Sequence, residues 1–533
     1  MSNLNAAAPP KSFMKRWRPW VPASFILATA GIFVWAKWYS DMEAGWRVVS
    51  VIIAIGVSSV AVLLWFAIRV PIPRLYKAGV FALLGLAAAI FFALFHIDFK
   101  GRLIPIPRYR FAWAAPLEVV DAPVDLTDTK GYYYPRFLGA SITPEFPDMA
   151  LATDWKSSPP QLVWRQPIGE GFSSFAVVGD YAVTQQQSTD KQRELVVCYH
   201  WPTGKARWKH ADKLYFDSFL GGRGPRATPA IDEGRVYALG SFGLLNCLDG
   251  GTGKLLWSRN VVEENEATLP QYGKTNSPLI VDDLVVVSAG GPNGKSLIAY
   301  DKVSGDEVWS AGSAASSYSS PQLATIAGVR QIISFNQGNI TGHDPRQGDI
   351  LWTIDWPGDM PNVAQPRVLS GDRLLVTKEY STGSALFLIE NTDRGWSTRE
   401  LWADRKLMKT KFTNPVFHDG YVYGLSDVLL QCIDPFDGKQ KWIMRGDFGN
   451  GHVLLVGDLL LVQTEQGGLE LYPAQPTKPQ RLASFQALEG RTWNYPVLMG
   501  EYLLMRNDQE MALYRLPLEN TADGTTQSAK VVR

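Results

Sequence analysis

The sequence predicts an all-β protein: an eight-bladed β-propeller with four-stranded blades, preceded by three transmembrane helices. Three observations predict it. An eleven-residue pattern ending in an aromatic residue recurs at spacings of about 40–52 residues, the length of one four-stranded blade. A polar residue, usually followed by proline and two short strands, precedes each copy. Three apolar runs of membrane-spanning length sit before residue 98.

The runs come first: 21–38, 48–70 and 80–97, each near the roughly 20 residues that span a hydrocarbon core. A signal peptide with buried core helices is the competing reading. The tail 1–19 is basic and the loop with Asp41, Glu43 and Arg47 is mixed. The loop with Arg69, Arg74 and Lys77 is basic again. Tail and second loop therefore read as cytoplasmic, which places the remainder outside, in the periplasm of a Gram-negative bacterium. Lys100, Arg102, Arg108 and Arg110 run against this orientation, but large domains translocate largely regardless of such charge. The expected organisation is a cytoplasmic tail (1–19), three helices of an inner-membrane anchor (20–97) and a linking or wrapping segment (98–159). The propeller (160–518) and a C-terminal tail (519–533) follow.

The repeats end at Trp208 ("CYHWPTGKARW"), Trp257 ("CLDGGTGKLLW"), Trp309 ("AYDKVSGDEVW"), Trp352 ("GHDPRQGDILW") and Trp442 ("CIDPFDGKQKW"), with degenerate copies at Trp402 and Phe485. The aspartate and glycine make a hairpin turn, and the aromatic fills the wedge between blades. "QLVWRQ" around Trp164 is an orphan outer strand, and the last repeat lacks one. Pairing the two closes the ring and removes a long exposed edge.

Composition excludes several classes. The 533 residues carry a formal net charge of +1, so no global field draws the chain to nucleic acid. Cys198, Cys247 and Cys432 share one repeat position with Ala299 and Gly342, a slot for a small buried residue. The glycines of "DGGTG" precede no helix, so they form no phosphate loop. The six histidines (His96, His200, His210, His343, His418, His452) show no ligand spacing, and no metal site is assigned. Glu263, Glu264 and Glu266 read as a solvated loop rather than a Ca²⁺ site.

The repeat resembles that of the quinoprotein (PQQ-repeat) β-propellers, whose tryptophan-docking sequence is approximately Ala-x-Asp-x-x-Thr-Gly-x-x-x-Trp. "YPRFLG" and "DWKSSPPQLVWRQPIGEGFSSFAV" resemble a bacterial PQQ-like subgroup. The resemblance implies one of two functions: PQQ-dependent alcohol or sugar dehydrogenase, or a non-enzymatic scaffold like the outer-membrane assembly lipoprotein. Adjacent cysteines are absent, and blades near the minimum length leave no active-site insertions. The scaffold is therefore the primary expectation. The alternative is a dehydrogenase using PQQ with Ca²⁺ and feeding electrons to membrane quinone.

Residues entering the innermost strands should crowd one channel mouth. They are Thr228, Ser277, Ser320, Gln365, Asn414 and Tyr495, with Arg223, Arg226, Lys274, Lys411 and Arg491 just upstream. A basic funnel there would attract a protein partner or an anionic ligand such as PQQ, a phosphate or an acidic peptide. The competing reading pairs these cations with Glu170, Asp217 and other loop carboxylates. Asp217 is the only candidate base. Trp164, Trp208, Trp257, Trp309, Trp352, Trp402 and Trp442 are expected as structural anchors.

Overall fold

The computed structural model describes residues 20–38, 44–70, 72–100, 104–109, 117–218, 221–380 and 382–519. The tail 1–19, Asp41, Glu43, Arg102, Arg110 and most of the C-terminal tail lie outside them. The chain divides into two compact units, Met1–Ala112 and Trp113–Arg533.

The first unit holds helices α1 (Trp20–Trp38), α2 (Ala44–Arg69) and α3 (Arg74–Leu94) and a hairpin, Phe95–Lys100 with Ile104–Tyr109. Two segments, Ser50–Arg69 and Arg74–Leu94, are long and apolar enough to cross a membrane; the apolar stretch of α1 is shorter, Pro22–Trp35. Three spans are thus expected and two meet the length. The third apolar run is also displaced. Pro73, locked at φ −52°, precedes the first turn of α3 and sets its start at Arg74, and the backbone becomes extended at Phe95. Lys77 lies in that first turn and donates from Nζ to the Ala67 carbonyl at 2.6 Å. Between α1 and α2, Thr29 Oγ1 and Ser58 Oγ share a 2.5 Å hydrogen bond. Such a pair satisfies both hydroxyls within apolar surroundings.

The second unit is the eight-bladed propeller. Blade 1 consists of Ala176–Val178, Tyr181–Gln187, Glu194–His200 and Lys205–Asp212. Blades 2 to 7 follow in chain order, each a meander from the innermost strand outward. Blade 8 (Val497–Met499, Tyr502–Arg506, Glu510–Arg515) takes its fourth strand from Gln161–Pro167, with Leu513 opposite Trp164. The strands are runs such as Leu284–Ser288, whose branched side chains Val285, Val286 and Val287 are wholly buried.

Tryptophans join the blades. Trp164, Trp208, Trp257, Trp309, Trp402 and Trp442 each donate the indole N–H to a backbone carbonyl of the next blade, at 2.8–3.3 Å. Trp208 lies over Gly253, whose φ of +71° closes the turn; a β-carbon there would stand 2.5 Å from the ring. Trp352 differs and donates to Gln331 of its own blade. Blade 5 replaces the short turn with a long hairpin, Gly383–Thr392 and Gly395–Asp404, so no docking glycine is available. The small-residue slot lies opposite the anchor: Cys198, Cys247, Ala299, Gly342 and Cys432 pair with Trp208, Trp257, Trp309, Trp352 and Trp442. Burial pushes the Cys247 thiol up to about 11 and Cys432 up to about 12, which leaves inert packing groups.

Residues 131–147 enter the channel. Tyr133–Tyr134 pairs with the innermost strand of blade 1, and Glu145–Phe146 runs parallel to that of blade 7. Between them the Ile231 N–H of blade 2 donates to the Pro135 carbonyl at 2.8 Å. Phe137 meets Tyr495 of blade 8 edge-on at 5.7 Å. Glu145 accepts from Arg367 of blade 5 and from the Phe417 N–H of blade 6, both at 2.8 Å. The segment therefore plugs the channel at the end where the innermost strands turn back. It also satisfies backbone donors that the channel would otherwise leave exposed.

Candidate binding face at the channel mouth

The opposite end of the channel is built from the loops that enter the innermost strands. The polar residues expected to face a ligand there are buried. They form a hydrogen-bonded belt between blades. The Ser174 N–H donates to Thr228 Oγ1 (3.1 Å), Thr228 N–H to Ser277 Oγ (2.9 Å), and Ser277 N–H to Ser320 Oγ (2.8 Å). With the Gln365 amide turned so that both its ends are satisfied, its oxygen accepts from the Ser320 N–H (2.9 Å), and the Gln365 N–H donates to Asn414 Oδ1 (2.7 Å). In blade 7 the position is held by His452, whose ring turns toward blade 8. The Tyr495 phenol of blade 8 reaches past it and accepts from the Asn414 N–H at 3.2 Å. Ser174 Oγ donates to the Tyr495 carbonyl at 2.7 Å and closes the belt. Tyr495→Phe is expected to leave the Asn414 N–H unmet and to cost about 1–3 kcal/mol in denaturant unfolding, with secondary structure unchanged.

His452 stacks on Tyr495 at 4.0 Å, and its Nε2 meets the Trp493 carbonyl at 2.8 Å. Burial lowers its pKa to about 4 from the ordinary 6.5, opposed by that hydrogen bond. The folded state thus binds fewer protons than the unfolded one in this range. The contribution of His452 is complete above pH 6.5 and is lost as pH falls toward 4, by on the order of 3 kcal/mol. His452→Gln should flatten that slope in urea titrations at pH 7, 5.5 and 4.

The cations are largely matched. Arg223 meets Glu170 (3.1 Å) and Asp217 (3.3 Å), Lys411 meets Glu379 (3.3 Å), and Arg491 meets Asp508 (3.3 Å). Asp217 is therefore an ion-pair partner in the structure. Lys274 is buried and donates to the Ser288 carbonyl, the Ala289 carbonyl and Ser316 Oγ; burial lowers its pKa to about 7. Arg226 donates to the carbonyls of Gly221, Gly222 and Gly224. Burial, and then repulsion from Arg491, lowers the Arg226 pKa to about 10.

Aromatic rings, which sequence reasoning missed, complete this face. Arg226 and Arg491 lie 5.5 and 4.9 Å from the centre of the Phe172 ring, and Arg491 lies 4.5 Å from Trp493. Phe412 packs on Trp493 at 5.0 Å, and Lys411 reaches Tyr380 at 5.2 Å. The result is a cation–aromatic lattice across blades 8, 1, 2, 5 and 6. Phe172, Arg226, Tyr318, Phe412 and Trp493 each stand two positions before a belt residue, so the repeat alignment itself carried the signal. Among the described residues no group of three His, Cys, Asp or Glu could hold a metal ion, and Glu264 accepts from the Asn260 N–H of its own loop.

A family model described as outer membrane protein assembly factor BamB matches residues 192–444. The BamB of Shewanella oneidensis is 24% identical over 369 residues, covering 58% of this chain and 88% of that protein. The BamB of Yersinia pestis is 23% identical over 266 residues, covering 45% and 59%. Among solved structures, a europium-containing methanol dehydrogenase superposes with a TM-score of 0.55 at 12% identity, over 73% of this chain and 99% of that one. That last likeness is one of fold.

Proposed function

From a PQQ-repeat propeller similar to outer membrane protein assembly factor BamB, we propose that this protein is a membrane-anchored scaffold whose channel mouth docks a protein partner. In this reading the N-terminal helices span the inner membrane and the propeller lies in the periplasm. The observation that supports docking over chemistry is the cation–aromatic lattice. Trp, Tyr, Phe and Arg side chains held rigid by their neighbours are the usual energetic centres of protein interfaces.

The residues present do not fit PQQ with Ca²⁺. Arg223, Lys411 and Arg491 are in ion pairs, and Lys274 is satisfied by carbonyls and a hydroxyl. A tricarboxylate would have to displace these partners, and among the described residues no group of three Asp, Glu, His or Cys stands ready to hold the metal. Trp493→Ala and Phe412→Ala should each weaken partner capture by the full-length protein about tenfold or more at a temperature where both variants remain folded. Trp493→Ala also gives up its 2.8 Å bond to the buried Glu465 carboxylate and should lower the thermal midpoint. Unchanged capture by both variants would reject the mouth as the docking site. Fusing alkaline phosphatase after residue 519 tests the orientation: activity is expected, and an inactive fusion would reverse it.

A further inference from the structure

The outer rim of the propeller carries an internal comparison. In blade 1 the outermost strand, Lys205–Asp212, is an edge strand of the sheet, yet it is not open. Val119 pairs with Ala206 in a parallel bridge, and the Val120 N–H donates to the Ala206 carbonyl at 2.9 Å. Ala206 is consequently only 2% exposed. Counting back from the docking tryptophans, the equivalent of Ala206 is Leu255 in blade 2 and Glu307 in blade 3. The next position, a bulge in each blade, is Arg207, Leu256 and Val308. Val119–Val120 shows that this bulge does not prevent strand addition.

In blades 2 and 3 no described segment covers the edge. Leu255 is 48% exposed, Leu256 49%, Val308 52% and Val303 57%. Trp257, next to Leu256, lies over Gly305, two residues from Val303, and Arg259 donates to the Gly305 carbonyl at 2.6 Å, so the two blades meet at this seam. Exposed apolar side chains on either side of a blade seam, beside edge strands that no described segment covers, mark an interaction surface, since an open apolar edge is otherwise an aggregation hazard. The propeller fills two edges itself, with Val119–Val120 on the outer edge of blade 1 and Glu145–Phe146 on the inner edge of blade 7, while Leu162 and Val163 of blade 8 and Ile350 of blade 4 are single-blade exposures of the same kind.

We propose that the rim of blades 2 and 3 receives an extended, branched-apolar segment of a partner protein as an added strand, in the parallel manner of Val119–Val120 on blade 1. Main-chain hydrogen bonds to Leu255–Asn260 or Glu307–Ala311 supply affinity, and Leu255, Leu256, Val303 and Val308 select alternate apolar side chains. This surface lies on the outer rim and is independent of the mouth.

The test uses the full-length protein in detergent and a peptide of its own residues 117–124, Leu-Glu-Val-Val-Asp-Ala-Pro-Val. Hydrogen exchange should slow about tenfold in Leu255–Asn260, Glu307–Ala311 or both on adding millimolar peptide. The same peptide N-methylated at the second valine should lose that protection, because it lacks the donor. Leu256→Lys and Val308→Lys should lose it too, whereas Lys441→Ala, at the bulge position of blade 6, should keep it. Thermal midpoints near the parent's show that the variants fold. Exchange unchanged in both strands would overturn the proposal. So would protection that grows with protein concentration without peptide, since the edge would then close on a second copy.

Discussion

A chain that begins after Pro167 is expected not to fold cooperatively, whereas one that begins at Trp113 should unfold in a single transition. The shorter chain loses three things. Glu510–Arg515 becomes an open edge in blade 8 without Gln161–Pro167 opposite it. Trp164 no longer docks on the Trp201 carbonyl, so blades 8 and 1 part at the rim. The plug is gone, and the Ile231 and Phe417 N–H groups of the innermost strands lose their acceptors. Circular dichroism melts and gel filtration separate the outcomes: the shorter chain should aggregate or melt without a sharp midpoint. A sharp melt equal to that of the longer chain would show that the seam does not hold the ring.

The second large effect is expected at Trp208. Trp208→Ala removes a buried indole, opens a cavity over Gly253 and breaks the bond to the Gly250 carbonyl. Loss of a buried aromatic costs about 3–5 kcal/mol. Trp208→Phe keeps most of the packing and loses the hydrogen bond, so it should cost less than the alanine variant by about 2 kcal/mol. Urea unfolding of both variants checks the order; equal losses would mean that the hydrogen bond, rather than the wedge, dominates docking.

Most anchors were legible because Trp208, Trp257, Trp309, Trp352 and Trp442 each sit four residues after a turn glycine of the same repeat. The closing strand was legible for the same reason: an orphan copy at one end matched a deficit at the other. The belt positions were also visible, but their role was not. Each hydrogen bond joins residues at least 43 positions apart, and a polar side chain before a proline reads alike whether it faces solvent or the next blade. Tyr495 illustrates the limit, because it reaches past blade 7 to Asn414, where His452 holds the belt position and turns to the Trp493 carbonyl instead. The plug escaped because its strands, Tyr133–Tyr134 and Glu145–Phe146, are two residues long and carry no periodic signal. The aromatic half of the mouth was within reach: Phe172, Phe412 and Trp493 occupy one repeat position, but attention to charge passed over them. Net attraction was overestimated because the matching carboxylates Glu379 and Asp508 lie on different loops from the cations.

The central claim is that the mouth is a docking face whose cations are already matched, not a cofactor site. Calorimetric titration of the full-length protein with PQQ and Ca²⁺, followed by dye-linked oxidation of alcohols and sugars on the same sample, tests it most directly. No saturable heat at micromolar concentrations and no PQQ-dependent dye reduction are predicted. One-to-one binding with substrate-dependent dye reduction would contradict it.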